Sequence, residues 1–504
     1  MALVPALLLV VTGCGTAPGA DDAGGAACDG ASSCPGEAPP ESVCLERLAA
    51  DVLEDGCGVF VGGIFGSGDD AYPGTKDKPV RTLQRAVEIA RTGRGRVFAC
   101  ADGFFDPVTL PSGVDLIGGF NCLSWERQNG FSTLQSHIYD PILTVVPARD
   151  GDTGAADGVS TIADVRLVSG DAIGLVVRSG TAVEFIRTEI LASYGWAGHD
   201  GEEWPGLNRA AAGPDGLYGG DACSAATVRG GPAVVNACEG GAPSTGGKGG
   251  DGLSDGGDDG ENGQPIATSD PLHGRGGVRQ VDFTKCGHGL SGADGAPGTV
   301  GAAGQGLGRL SETGWVPDWA RDGTRGMPGQ GGGGGGGQRG GVSLCGVTSK
   351  GGAGGGSGGA GGCGGRGGRG AENGYPSIGI VALHAKLTVR DSVIIARDGG
   401  PGGDGGPPER GGNGGRGAPG GAVGDGTWSC AGGTGGRGGD GGYGGPGRGG
   451  DSIGIAYLDE DQLALEGVTF ELGPPGEGGV SWDVNGNEIR ADDGNAVESL
   501  RFLE

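Results

Sequence analysis

Apolar residues recur along the chain in units of two or three short runs separated by tight turns. The first run of each unit is almost wholly apolar: IGLVV at 173–177, SIGIV at 377–381 and SIGIA at 452–456. Short runs rich in β-branched residues and bounded by turns are typical of β-strands. A unit of this kind cannot bury its apolar face alone, so we expect the three units to stack on one another.

The units lie far apart in the sequence. Gly174, Gly379 and Gly454 occupy the same position in each unit and are separated by 205 and then 75 residues. One coil of a β-solenoid takes about 20–30 residues. The chain between the units is therefore expected to leave the stack and to return to it.

A segment rich in turns and short apolar runs precedes the first unit. The spacing of Leu83, Ala86, Val87 and Ala90 predicts a helix over 82–91. Short strands are predicted on both sides of this helix, at 58–61, 97–99, 108–110 and 114–117.

The order of motifs within residues 58–125 is GSGDDAYPGT, RTLQRA, VFACADGFFD and LPSGVDLIGGF. This series resembles the opening of pectin-lyase-like right-handed β-helices, in which a helix caps the open end of a stack of strands. The resemblance implies an all-β fold: a single-stranded right-handed parallel β-helix with an N-terminal capping helix and long Gly-rich insertions, polyglycine II-like or disordered. It implies no activity, because such folds host many functions.

Glycine accounts for 126 of the 504 residues, mostly in inserts at roughly 195–310, 321–374 and 398–450. Residues 357–369 and 431–446 are strict X-Gly-Gly repeats. A period of three is that of the polyproline II helix, whose N–H and C=O groups must bond to neighbouring helices or to water.

Two states of these tracts stay open at this point. The first is a bundle of parallel Gly-rich helices, and the second is a set of solvated, flexible loops. Glycine loses the most entropy on ordering, which favours the loops, whereas strict triplets favour the bundle. For the uninterrupted glycines at 331–337 we expect disorder.

The N-terminus carries an apolar run at 2–12 that is too short to span a membrane and fits a signal peptide. The following Val11-Thr12-Gly13-Cys14 resembles the lipobox of bacterial lipoproteins, which implies lipidation of Cys14. Gly15 after the cysteine implies an outer-membrane location in such families. An ordinary signal peptide followed by an unrelated cysteine is the alternative.

The chain divides into seven predicted segments. They are a lipoprotein signal peptide at 1–13, a flexible tether at 14–42, a β-helix head with first coils at 43–194, Gly-rich insertions with short strands at 195–374, a coil at 375–397, a Gly-rich insertion at 398–450, and a last coil with the C-terminal segment at 451–504.

Of 13 cysteines, 12 remain once Cys14 is set aside, and an even number in an exported protein predicts disulfides. Cys100 and Cys122 each follow a predicted strand and are 22 residues apart, about one coil. Neighbouring strands lie about 4.8 Å apart, within the distance that a disulfide spans. We therefore predict that these two pair. No CxxC pair is present, so we expect no zinc site.

The formal net charge of −27 argues against nucleic-acid binding, although Arg366, Arg369 and Arg437 lie in triplets similar to RGG segments. We expect no cofactor. Calcium is the lesser alternative, because Gly246–Ser254 matches one copy of a calcium-binding nonapeptide and acidic residues follow at 255–261.

No catalytic residue is assigned. Gly287-His288-Gly289 resembles a segment of polygalacturonases, and Asp258-Asp259 is a possible acidic pair, but the other elements of that family are absent. Five tryptophans lie in or beside the Gly-rich inserts. We interpret them as buried anchors rather than as platforms for sugars: Trp196, Trp204, Trp315, Trp319 and Trp428.

The lipobox, the head and the glycine repeats together resemble Gly-rich (PGRS-type) bacterial surface lipoproteins. The resemblance implies a lipid-anchored cell-envelope protein, a non-enzymatic scaffold with adhesive or structural roles towards an envelope or extracellular polysaccharide or a surface protein. The alternative is a polysaccharide-active lyase or hydrolase. Carboxylates that converge with a His or Arg in one groove would favour the enzyme.

Overall fold

The computed structural model describes residues 39–64, 67–136, 140–152, 158–203, 209–266, 270–282, 284–312, 314–424 and 426–503. The predicted signal peptide, Cys14 and most of the predicted tether lie outside these residues. The chain divides into two units, Met1–Cys57 and Gly58–Glu504. In the described part of the first, helix α1 (Glu41–Ala49) is followed by a turn that a Cys44–Cys57 disulfide closes. The described residues include no helix long and apolar enough to cross a membrane.

Three parallel sheets form the body of the second unit. Sheet one has the order β1 (Val59–Val61), β2 (Arg96–Cys100), β5 (Asp115–Phe120), β8 (Val159–Ala163), β11 (Ala182–Ile186), β18 (Lys386–Arg390), β23 (Leu463–Glu466). Sheet two has the order β4 (Val108–Pro111), β7 (Leu143–Val146), β10 (Ile173–Val177), β17 (Ser377–Ala382), β22 (Ser452–Tyr457), β27 (Ala496–Arg501). Sheet three has the order β3 (Gly103–Phe104), β6 (Ser132–Gln135), β9 (Val165–Val168), β12 (Glu189–Leu191), β19 (Val393–Ala396), β24 (Thr469–Leu472).

The remaining elements are short. Helix α2 spans Leu83–Ala90, α3 spans Gly341–Cys345, and a single 3₁₀ turn covers Glu460–Gln462. Four antiparallel pairs complete the described structure: β13 (Val234–Asn236) with β14 (Ser244–Gly246), β15 (Arg309–Ser311) with β16 (Gly314–Val316), β20 (Ala422–Gly424) with β21 (Thr427–Trp428), and β25 (Val480–Trp482) with β26 (Glu488–Arg490).

Helix α2 forms where its apolar spacing predicts. The Thr82 hydroxyl accepts the N–H of Arg85 and so caps the first turn. Leu83, Ala86 and Val87 are buried against strands β1, β2 and β4.

The three predicted units do pair with one another. Ile173 lies opposite Ile378, and Ile378 lies opposite Ile453, in three adjacent strands of sheet two. Both faces of these strands are buried. Leu175 belongs to the core between the sheets, whereas Ile173 belongs to a second cluster on the outer face. Burial on both faces explains why these runs are apolar throughout rather than alternating.

The prediction of one single-stranded right-handed parallel β-helix is wrong. The strands form three stacked parallel sheets of seven, six and six strands, together with the four antiparallel pairs, rather than a single solenoid. Short alternating runs specify which side chains face a core and which strands can pair. They do not specify how whole sheets are arranged around that core, and the resemblance behind the prediction covered only residues 58–125.

The glycine tracts are ordered by backbone hydrogen bonds at every third residue. The N–H groups of Gly289, Gly292 and Gly295 donate to the carbonyls of Ala431, Thr434 and Arg437, in parallel register. The same period of three continues throughout residues 351–374, which we call the central glycine segment. None of its glycines has a positive φ, and a repeat of three residues is that of the polyproline II helix.

Neighbouring segments surround the central glycine segment. Within one turn, Gly358 donates to Gly247, Gly359 donates to Gly433 and accepts from Gly332, and Ala360 donates to Pro214 and accepts from Gly415. All of its residues are buried except Arg366, which is half-buried, and Arg369, which is exposed. Of the two states left open by the sequence, the structure therefore shows a cross-bonded bundle, which we call the glycine bundle. Disorder at 331–337 was a wrong expectation, because these glycines are buried and bonded.

Aspartates close the outer positions of the glycine bundle. Their carboxylates accept backbone N–H groups from a neighbouring segment, as Asp294 does from Arg437 at 2.7 Å and Asp322 does from Gly370 at 2.9 Å. A backbone N–H at the edge of such a bundle lacks a carbonyl partner and needs another acceptor. This arrangement gives the acidic residues of the tracts a structural role.

Three disulfides also tie glycine-rich segments together: Cys223–Cys345, Cys238–Cys363 and Cys286–Cys430. Their partners are 122, 125 and 144 residues apart. A disulfide that closes a loop of this length removes much conformational entropy from the unfolded chain. In the chain-entropy description, each of these bonds therefore stabilises the folded protein by about 4–5 kcal/mol.

Candidate functional site

The structure places the predicted disulfide residues together. Cys100 and Cys122 are bonded, with their Cα atoms 4.8 Å apart. With Asp102 they form the one group of three potential metal ligands among the described residues. Because both sulfurs are in the disulfide, neither is available as a thiolate ligand.

The calcium-type nonapeptide serves the glycine bundle. The Asp251 carboxylate accepts the N–H of Gly230 at 2.9 Å and lies 3.0 Å from the Lys248 ammonium. Burial alone would raise the pKa of Asp251, but these two groups outweigh it and hold that pKa below its usual value. Because this carboxylate is already bonded to an N–H and an ammonium, it is poorly suited to act as a calcium ligand.

The segment similar to polygalacturonases is also structural. His288 accepts the N–H of Ala431 through its Nδ1, and Asp259 accepts the N–H of Arg279. Both side chains therefore hold neighbouring segments of the glycine bundle.

The tryptophans do not all act as buried anchors. Trp196, Trp319 and Trp428 are 44%, 53% and 58% exposed, so the anchoring interpretation is wrong for these three. Trp315 is half-buried, and its indole N–H donates to the carbonyl of Leu307 at 2.7 Å. Trp204 lies outside the described residues.

Two of these tryptophans line one cavity of about 600 Å³, which we call the aromatic groove. It lies where strand β10 meets the glycine bundle. Its lining is Asp171, Ala172, Ile173, Trp196, Ala197, His199, Trp315, Tyr375 and Pro376. Cavities of this size, mostly apolar with a few polar groups, are typical of small-ligand sites.

Different parts of the fold supply the walls of the aromatic groove. Asp171 lies in the turn before strand β10, and Trp315 lies on strand β16. Gly314 has φ +120°, and a Cβ there would lie 2.3 Å from Cδ1 of Ile173. A glycine at this position therefore lets the β15–β16 pair approach the outer face of sheet two and places the Trp315 ring 5.0 Å from that of Tyr375.

A buried glutamate joins the other two polar residues of the wall. Glu372 is 3% exposed and lies near the end of the central glycine segment. Its carboxylate lies 2.5 Å from Nδ1 of His199 and accepts the hydroxyl of Tyr375 at 3.2 Å. The hydrogen bond between His199 and Glu372, with the negative charge of Glu372, raises the pKa of His199. Burial and the same charge raise the pKa of Tyr375.

Asp171 is the carboxylate that faces the aromatic groove. Its side chain accepts the N–H groups of Ala172 and Ile173. Burial raises its pKa more than these bonds lower it, and the negative charge of Asp140 raises it further. Within the described part of the chain, no Lys or Arg pairs with Asp171.

The sequence offered only part of this site. Trp196 and Trp315 stood out in the sequence, but they were interpreted as buried anchors. Asp171, His199, Glu372 and Tyr375 belong to no motif. His199 and Glu372 are 173 residues apart, and only the hydrogen-bond register of the glycine bundle brings them together. That register also pairs Tyr375 N–H with the Trp196 carbonyl at 2.9 Å.

No protein-family model matches the chain, and neither the curated proteins nor the solved structures contain a significant match.

Proposed function

We propose that the protein is a non-enzymatic surface protein of the cell envelope that binds an envelope or extracellular polysaccharide in the aromatic groove. The observation that carries this proposal is the convergence of Trp196, Trp315 and Tyr375 with Asp171 around one open cavity. The C–H faces of a sugar ring pack against aromatic rings, and a carboxylate accepts hydroxyl hydrogens.

The exposure of the Trp196 ring supports this function. A large apolar side chain in water is unfavourable unless it is covered at some stage, and Trp is among the residues most enriched at binding surfaces. The rigid frame also supports it. Backbone hydrogen bonds and a sheet hold the groove walls, so little ordering is required on binding.

A binding test separates the groove from the rest of the surface. The full chain is titrated with soluble oligosaccharides while tryptophan fluorescence is followed. Trp196→Ala is expected to weaken binding at least about tenfold, since truncation of a central aromatic anchor costs about 2 kcal/mol or more. Trp428→Ala removes another exposed tryptophan ring, which lies outside the groove lining, and serves as the matched control. Equal loss in both variants, or no saccharide binding by the parent, would overturn the proposal.

The proposal includes a lipid anchor at Cys14, in the outer membrane. Its support is the lipobox-like Val11-Thr12-Gly13-Cys14 and the five disulfides, which indicate an oxidising compartment. In cells fed labelled palmitate, the protein should carry label and fractionate with membranes. Cys14→Ser should lose both properties, and a soluble, unlabelled parent would refute the anchor.

One observation favours the alternative of a polysaccharide-active enzyme. The pKa of Asp171 is raised by burial, as in carboxylic acids that protonate a leaving group. Two carboxylates and a histidine do meet at the groove, but the Glu372 carboxylate is buried behind His199 and Tyr375 rather than facing the cavity. Release of reducing ends or unsaturated products by the parent, abolished in Asp171→Asn, would decide for the enzyme.

A further inference from the structure

Two of the polar hydrogens in the aromatic groove are already bonded within the protein. The Trp315 indole N–H is taken by the Leu307 carbonyl, and the Tyr375 hydroxyl is taken by Glu372. Neither ring therefore has its usual donor left for a ligand. Asp171, by contrast, adds a carboxylate to the lining of the cavity.

The charges around the groove are negative. Its lining contains no Lys or Arg. His199 is the one lining residue that can become a cation, and the Glu372 carboxylate against its Nδ1 balances that charge. Asp140 adds a second negative charge close enough to act on Asp171. A half-buried carboxylate with no cationic partner in the described chain would be stabilised by a bound cation.

The aromatic rings favour a cation as well. The face of an aromatic ring carries negative charge density, so Trp and Tyr faces attract ammonium groups, most strongly where water is excluded. The groove thus combines three such rings with one uncompensated carboxylate.

We propose that the saccharide unit bound in the aromatic groove carries a free, protonated amine, as in an unacetylated hexosamine. The ammonium group donates to the Asp171 carboxylate, while the apolar face of the sugar ring packs on Trp196 and the Trp315–Tyr375 pair. This inference rests on the proposed function and narrows its ligand class to amine-bearing polysaccharides.

The test compares three oligosaccharides of equal length on the full chain: glucosamine, N-acetylglucosamine and glucose oligomers. The glucosamine oligomer is expected to bind about tenfold more tightly than either of the others, and this preference should remain in 0.5 M salt because the charge pair is partly desolvated.

Asp171→Asn should remove the preference, so that the glucosamine and glucose oligomers bind this variant equally tightly. Asp461→Asn is the matched control, because it removes one exposed negative charge outside the groove lining. It should keep the preference. Loss of the preference in both variants, or in salt, would mean that the acidic surface attracts a polycation without a site, and the inference would fall.

The outcomes separate this inference from the proposed function. Equal binding of the three oligomers overturns the amine preference and leaves polysaccharide binding standing. Binding of none of them overturns the proposed function itself. A preference that survives in Asp171→Asn places the amine elsewhere and also overturns the inference.

Discussion

The three-sheet body and the glycine bundle both satisfy their backbone hydrogen-bonding groups, but they differ in what stabilises their order. Both satisfy backbone N–H and C=O groups by bonding one chain segment to the next. In the body, order is stabilised by side chains such as Phe185 and Ile380, which are fully buried between sheets. In the glycine bundle there is almost no side chain to bury, and order depends on how closely backbones approach.

This contrast determines which substitutions each region tolerates. A core side chain of the body can lose a methyl group and leave a small cavity. A glycine of the bundle cannot gain one, because the space is already occupied by a neighbouring carbonyl. The comparison therefore predicts opposite sensitivities, to smaller residues in the body and to larger ones in the bundle.

The largest effect is expected for Gly361→Ala in the central glycine segment. A Cβ there would lie 2.0 Å from the carbonyl oxygen of Gly329, which is backbone and cannot rotate away. We expect a loss of more than about 4 kcal/mol in the free energy of unfolding, or no folded protein. Urea unfolding followed by circular dichroism measures it.

Gly130→Ala is the matched control for that substitution. Nothing lies within 4 Å of a Cβ at Gly130, and its φ is not in the left-handed region. A change within about 0.5 kcal/mol is expected. If Gly361→Ala were as mild as this control, close backbone contact would not be what holds the glycine bundle.

A somewhat smaller effect is expected on removing a bundle disulfide. Replacing Cys238 and Cys363 together by Ala frees a loop of 125 residues, and the expected loss is about 4–5 kcal/mol. The Cys100–Cys122 pair closes only 22 residues, so its removal should cost about 3 kcal/mol. Denaturant midpoints of the two double variants test the order, and the reverse order would contradict it.

A mild effect is expected for Ile380→Val in the body. Ile380 is fully buried in the main core, and losing one methylene there costs about 1 kcal/mol. Thermal unfolding of this variant, compared with that of Gly361→Ala, measures how much better the body tolerates a smaller residue than the glycine bundle tolerates a larger one. A loss above about 3 kcal/mol would mean that the body is as intolerant as the glycine bundle.

The smallest effect concerns the aspartates that close the bundle. The N–H of Gly230 and the ammonium of Lys248 hold the folded pKa of Asp251 below its usual value, although burial opposes them. Its contribution is therefore complete above that value and is lost as the pH falls through the lower folded pKa. Between about pH 5 and pH 2 the parent should lose stability more steeply than Asp251→Asn. Parallel pH profiles of the two proteins would contradict this role of the carboxylate.

Several features were predictable because the identity and spacing of particular side chains determine them. The spacing of Leu83 to Ala90 predicted α2, and the repeated IGLVV-like runs predicted that Ile173, Ile378 and Ile453 would meet. The one-coil spacing of Cys100 and Cys122 predicted their bond. In each case the deciding information lies in the identity of the side chains themselves.

The arrangement of the sheets and the aromatic groove were not predictable, for a physical reason. An X-Gly-Gly repeat can shift by one triplet against its neighbour without changing which atoms bond. The sequence therefore carries little information on which triplet lies beside which. The meeting of His199 with Glu372, and of Trp196 with Tyr375, depends on that register.

The crowding around the central glycine segment means that its simple, repetitive sequence is strongly constrained. A low-complexity repeat is commonly regarded as a sequence that tolerates substitutions and insertions. Here a Cβ at Gly355, Gly358 or Gly364 would come within about 2 Å of a neighbouring carbonyl oxygen, so every other amino acid is shut out. These glycines of the central glycine segment are thus positions at which evolution can accept the fewest substitutions.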